Sequence, residues 1–149
     1  MLKNIPSILS PDLLKILMEM GHADEIVIAD GNFPSASIAA ETVSGNLIRM
    51  DGHGAAPALE AILKLFPLDP YVDKPVGLMQ LVPGDTVETP IWDEYRKLIS
   101  DSDERDKFED FEYIERFAFY ERAQKAYAVI ATSETALYAN IILKKGVIV

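Results

Sequence analysis

A chain of 149 residues, 49% of them hydrophobic, has enough apolar material for one globular core. Its lack of cysteine excludes a disulfide framework, a thiolate metal site and a cysteine nucleophile together. A net charge of −10, with no basic cluster beyond Lys144-Lys145, argues against nucleic acid as a partner.

Met1-Leu2-Lys3-Asn4-Ile5-Pro6 does not read as a signal peptide, and no apolar run reaches the ~18 residues of a membrane span. A cytoplasmic protein with no membrane association is expected. Ser10-Pro11-Asp12 is a helix start, because Ser10 can cap a free N–H and Pro11 gives up no needed donor. Leu13, Leu14, Ile16, Leu17 and Met20 form its apolar face, and Gly21 is expected to end it in a left-handed conformation. Ile26-Val27-Ile28-Ala29 is continuously apolar, the pattern of a strand covered on both faces, and it closes on Asp30.

The alternation continues. Residues 46–50 read as a strand, Asp51-Gly52-His53-Gly54 as a turn, and 57–66 as a helix with Leu59, Ile62, Leu63 and Phe66 on one side. A strand is expected within 76–82, closed by the turn Pro83-Gly84-Asp85. Thr89-Pro90 starts a helix through Trp92 and Tyr95 to Ile99. The acidic stretch 101–110 reads as a solvated surface loop. Residues 117–127 have helical composition, with a Glu121–Lys125 pair expected at i, i+4. Residues 128–131 and 138–143 are the last strands. Strands separated by helices predict one three-layer α/β/α domain over residues 1–149, with a largely parallel or mixed sheet.

Few side chains offer chemistry. His22 follows a helix end, beside Asp24 and Glu25, and suits either acid–base work near neutral pH or plain decoration of that end. Asp30 lies beyond the carboxyl end of a strand, where α/β sheets bind ligands, and equally suits a turn cap. Arg116 can present a guanidinium fork, while Tyr138 and Asn140 are hydrogen-bonding residues at a strand start, where turn chemistry is also common. His53 reads as a solvent-exposed turn residue. The two histidines have no metal-ligand spacing, and Gly52-His53-Gly54 lacks the rest of a nucleotide-binding fingerprint. No metal and no cofactor is implied.

Taken in order, Ile8 to Leu14, Glu19 to Ile26, Asp30 with Asn32-Phe33-Pro34, Arg116 to Ala123 and Tyr138 to Val147 resemble the RbsD/FucU family of sugar mutarotases and pyranases. The Arg116-Phe117-Ala118-Phe119-Tyr120-Glu121-Arg122-Ala123 segment is similar to the L-fucose mutarotase branch of that family. The resemblance implies an RbsD-like fold and cofactor-free interconversion of sugar anomers. His22 would be the general acid, with Asp30 and Tyr138 handling protons at the anomeric end. Asp30, Arg116, Tyr138, Ala139 (through its backbone) and Asn140 would hold the monosaccharide. Which group acts as base is left open. A ribose pyranase and a non-catalytic sugar-binding oligomer are the alternatives. The resemblance also implies a homo-oligomer, a pentameric ring or a decamer of stacked rings, with sites near subunit contacts. Phe33 and Phe119 are candidates for an apolar wall against the sugar. Ala23 stands where this family usually has glycine, which bears on the backbone beside His22.

Overall fold

Ser10 caps the first helix as expected, its hydroxyl accepting the Leu13 N–H at 3.1 Å. The computed structural model describes residues 1–103 and 108–149. In chain order the elements are α1 (Pro11–Glu19), β1 (Glu25–Ala29), α2 (Ser35–Glu41), β2 (Leu47–Met50) and α3 (Ala55–Leu63). Then come β3 (Val76–Met79), α4 (Pro90–Ser102), β4 (Glu112–Ile114), α5 (Arg116–Gln124), β5 (Ala128–Thr132) and β6 (Ile141–Lys144). None of these helices is long and apolar enough to cross a membrane.

The six strands form one sheet in the order β2-β5-β1-β6-β3-β4. Five run in one direction, and β6 is antiparallel to both of its neighbours, β1 and β3. Side-chain alternation divides the core. Ile26, Ile28, Ile130, Ile141 and Leu78 face α1, α3 and α4, whereas Val27, Ala29, Val129 and Ile142 face α2 and α5. Each fully buried Ile or Leu contributes roughly 1.5–3 kcal/mol. The continuous apolar runs are therefore strands sandwiched between two helical layers, giving a three-layer α/β/α domain.

The direction of β6 positions the site. Its start pairs with the carboxyl ends of β1 and β3, through Ile141 opposite Ile28 and Leu78. A segment that opens one strand thus joins segments that close others. At the far edge Glu25 of β1 pairs with Lys144 of β6, and the chain around His22 packs there.

Three local expectations are corrected. Gly21 does not take the left-handed conformation: α1 ends in an extended Met20, and the Gly21 N–H donates to Asp24 Oδ2 at 2.7 Å. Ala23 does so instead, at φ 69°, with its N–H donating to the Lys145 carbonyl at 2.8 Å. The acidic stretch is not wholly a solvated loop, since Asp101 and Ser102 are the end of α4 and Phe108 packs edge-on to the buried Phe111. Residues 104–107 of that stretch lie outside the described residues. Finally, Glu121 and Lys125 do not pair. Arg122 forms the ion pairs of α5, bidentate to Glu25 at 2.9 and 2.7 Å and reaching Glu112 at 2.6 Å, which ties β1 and β4 to the helix.

The left-handed Ala23 yields a prediction. An L-residue at such a φ costs roughly 1–2 kcal/mol, which glycine avoids at an entropic cost of roughly 0.5–1 kcal/mol. Ala23→Gly is expected to stabilise the fold by about 0.5–1 kcal/mol and to raise Tm by about 2–3 °C in a thermal melt. An unchanged or lower Tm would contradict the assignment of strain to this position.

Candidate functional site

Asp30 terminates β1 at the carboxyl edge of the sheet and is buried. It forms a two-way clasp with Asn140. The Asp30 N–H donates to Asn140 Oδ1 at 2.8 Å, and Asn140 Nδ2 donates to Asp30 Oδ2 at 2.9 Å. The Asn32 N–H donates to Oδ1 at 3.0 Å. Burial pushes the Asp30 carboxyl above its ordinary pKa, opposed by backbone N–H groups of Asn32, Phe33 and Ala139 and by the Asn140 amide. The Asn32 N–H on Oδ1 and the Asn140 amide on Oδ2 thus engage both carboxylate oxygens and fix the orientation of Asp30 at the sheet edge.

The segment before β6 is held as firmly. Tyr138 has a left-handed backbone, φ 56°. Two aromatic side chains of α4 secure it: Trp92 Nε1 donates to the Tyr138 carbonyl at 2.8 Å, and the Tyr95 hydroxyl donates to the Ala139 carbonyl at 2.7 Å. A non-glycine residue kept at positive φ by its surroundings is a frequent mark of a functional position. The Tyr138 hydroxyl donates to Asp85 Oδ2 at 2.5 Å and accepts the Val82 N–H at 3.4 Å. The Asp85 carboxylate holds the Tyr138 phenol above its ordinary pKa, and that same bond holds Asp85 below the usual carboxylate range.

Arg116 enters from the third side. β4 is parallel to β3, so its carboxyl end opens on the same edge, and Arg116 begins α5 there. Glu115 caps this helix, accepting the Phe117 and Ala118 N–H groups at 2.9 and 3.0 Å. The Arg116 Nε donates to the Tyr120 hydroxyl at 3.3 Å, and the guanidinium lies 5.7 Å from the centres of the Phe117 and Tyr120 rings.

These elements enclose an open cleft of about 260 Å³, lined by Asp30, Arg116, Tyr138 and Asn140 together with Phe33, Met79 and Val82. Phe33 lines the cleft edge-on to Tyr120, whereas Phe119 is fully buried behind it and serves packing. A lining that combines carboxylate, guanidinium, amide and phenol with apolar side chains suits a small molecule with several hydroxyls and an apolar face.

His22 is elsewhere. It precedes β1, and the strand's five residues put roughly 17 Å between it and Asp30. Its acid partner is neither sequence neighbour. Asp24 caps Gly21 and Glu25 holds Arg122, whereas His22 Nε2 lies 3.1 Å from Oδ1 of the buried Asp69. Asp69 also accepts the Tyr71 N–H at 3.0 Å, and the Tyr71 ring meets the imidazole edge-on at 5.4 Å. With a carboxylate at Nε2, the Nε2–H donates and Nδ1 is the nitrogen left for other chemistry. Beside His22 runs a largely apolar groove bordered by Met18, Leu65, Lys145 and Ile148. His53 sits apart in its turn, where its backbone carbonyl accepts the Ser133 N–H. Among the described residues no group of three or more His, Asp or Glu side chains converges as a metal-ligand set.

Sequence reasoning missed Asp69, Asp85, Trp92 and Tyr95 as parts of these arrangements. Asp85 had a signal, its place in Pro83-Gly84-Asp85, which reads as a turn without revealing that the turn reaches Tyr138.

The fold and cleft define an α/β protein with a polar small-molecule site at the carboxyl edge of its sheet. Residues 3–148 match the model of the RbsD / FucU transport protein family, and the chain belongs to that family. It is 51% identical to the fucose mutarotase of Homo sapiens over 150 residues, covering 99% of this chain and 94% of that one. The crystal structure of FucU from Bifidobacterium longum superposes with a TM-score of 0.92 at 58% identity, over 99% of this chain and 100% of that one. The fucose mutarotase from Streptococcus pneumoniae, in complex with L-fucose, superposes with a TM-score of 0.87 at 52% identity, over 99% and 100%.

Proposed function

We propose that this chain is an L-fucose mutarotase that exchanges α and β anomers by opening and reclosing the pyranose ring, with the Asp30 cleft as its sugar site. The observation that carries the reading is the convergence of Asp30, Arg116, Tyr138 and Asn140 on one cleft that Phe33, Met79 and Val82 also line. Hydroxyl groups of the sugar would bond to these four polar residues, and its methyl group would lie against apolar lining residues such as Phe33, Met79 and Val82. Relatives at about half identity, one of them crystallised with L-fucose, support the choice of sugar. Ring opening removes a proton from the anomeric hydroxyl and adds one to the ring oxygen. General acid–base assistance typically contributes 10²–10⁴-fold, and neither step involves a change of oxidation state.

His22 retains its proposed role as general acid only if another copy of the chain brings it to the cleft. The proposed assembly is therefore a homo-oligomer, and the family resemblance supplies its form, a pentameric ring or two such rings stacked as a decamer. The His22 edge and the cleft edge are different surfaces, so a contact between them is heterologous, the kind that closes into rings. Apolar side chains exposed at both edges, Met18 and Ile148 near His22, Phe117 and Leu137 near the cleft, support such a contact. A cytoplasmic setting suits a chain without cysteine.

Saturation-transfer NMR on equilibrated L-fucose tests the activity. Magnetisation exchange between the two anomeric protons is expected to accelerate in proportion to protein. Binding without acceleration would overturn the mutarotase reading in favour of a sugar-binding oligomer. Faster exchange of D-ribose ring forms than of fucose anomers would transfer the activity to a pyranase.

A further inference from the structure

We propose that Asp85 is a positioning residue that turns the Tyr138 hydroxyl into a proton acceptor for the sugar and receives the phenolic proton as the ring opens. The inference rests on the mutarotase reading of the cleft.

Tyr138 Oη has one proton to give and two lone pairs to offer. The Asp85 carboxylate can only accept, so the phenolic proton points at its Oδ2, 2.5 Å away. The Val82 N–H, at 3.4 Å, occupies one lone pair. What Tyr138 has left to present to the cleft is the other lone pair. A tyrosine free to rotate its hydroxyl could donate to a sugar oxygen; this one is arranged to accept from a sugar hydroxyl. Asp85 is itself built into position. It closes a turn with Gly84 at φ 88°, its N–H donates to the Val82 carbonyl at 2.9 Å, and its Oδ1 accepts the Val87 N–H at 3.1 Å. One carboxylate oxygen thus anchors the loop and the other faces Tyr138. The Tyr138 backbone is clamped through Trp92, so neither partner needs to reorganise.

The resulting step balances. The anomeric O–H bond breaks and its proton moves to Tyr138 Oη, while the phenolic proton moves to Asp85 Oδ2. The C1–O1 bond gains double-bond character, and the C1–O5 electron pair passes to O5. O5 takes a proton from water or from the partner subunit's His22. After rotation about C1–C2 the same transfers run in reverse and close the ring as the other anomer.

Asp85→Asn in the full chain tests this. The exchange rate at saturating L-fucose is expected to fall about 10–100-fold, with the sugar Kd within about threefold of wild type, and Asp85→Glu is expected to recover much of the loss. Tyr138→Phe should lose about as much, and the double variant Asp85→Asn/Tyr138→Phe no more than Tyr138→Phe alone, as for two groups acting as a unit. A second readout is independent of turnover. With tyrosine labelled at Cζ, the Tyr138 phenol should titrate at lower pH in Asp85→Asn than in wild type, Arg116 being the other charged group that faces it. An unchanged rate in Asp85→Asn, multiplicative losses in the double variant, a loss confined to Kd, or an unmoved Tyr138 titration would overturn the relay. Wild-type protein that leaves anomer exchange at its rate in water would instead overturn the mutarotase reading itself, and the relay with it.

Discussion

Asp30→Asn is expected to lower the rate of fucose anomer exchange by about 10²-fold and to weaken sugar binding, while the chain still folds. The reason lies in the donors that already surround the carboxylate. Oδ1 takes the Asn32 N–H and Oδ2 takes the Asn140 amide. An asparagine at position 30 must turn its own NH₂ toward one of these two donors, whichever way the amide is placed. Facing two donors in a buried site costs roughly 1–3 kcal/mol, and a sugar hydroxyl loses a charged acceptor worth roughly 1.5–3 kcal/mol. The thermal melt should report the first effect as a Tm lower by about 2–10 °C. The exchange assay and a sugar titration should report the second. Wild-type exchange and affinity in a folded Asp30→Asn variant would remove this cleft from the mechanism.

His22→Ala is expected to reduce exchange by roughly 10²–10⁴-fold, the usual contribution of a positioned acid or base. Within its own chain the imidazole stands at the opposite end of β1 from Asp30, so in the proposed assembly that loss acts through the cleft of a neighbouring copy. Complementation isolates this point. When His22→Ala and Asp30→Asn chains are co-assembled in equal amounts around a heterologous ring, about one site in four combines an intact Asp30 with an intact His22 from its neighbour. Activity should recover to about a quarter of wild type, although each variant alone is nearly inactive. No recovery in mixed assemblies verified by native mass spectrometry would refute a site shared between subunits.

The sequence was a good guide where physical signals are local. Ser10 before Pro11 marked the first helix, and the unbroken apolar run of residues 26–29 marked a strand buried on both faces. It was a poor guide where strand direction matters. Tyr138-Ala139-Asn140 lies before a strand, and only the antiparallel placement of β6 brings it to Asp30. His22 and Asp30 are eight positions apart and look like neighbours, yet the strand between them holds them at opposite edges. The Asp69 partner of His22 has no sequence signal, because the two are 47 residues apart and joined only by the end of the sheet. α2 lacks a strong apolar period, being short and rich in Ser and Ala, and β4 has only three residues, so neither was legible. Ala23 was the reverse case. Its departure from glycine was visible in the sequence, and its positive φ explains why glycine suits that position.

A crystal structure of the protein grown with L-fucose bears most directly on the central claim, that the Asp30 cleft is the sugar site. A pyranose is expected between Phe33 and Tyr138, with its hydroxyls within hydrogen-bond distance of Asp30, Arg116 and Asn140. The imidazole of the partner subunit's His22 is expected on the open side of the ring. Sugar bound in the groove beside His22 of the same chain, with the Asp30 cleft empty, would contradict this placement.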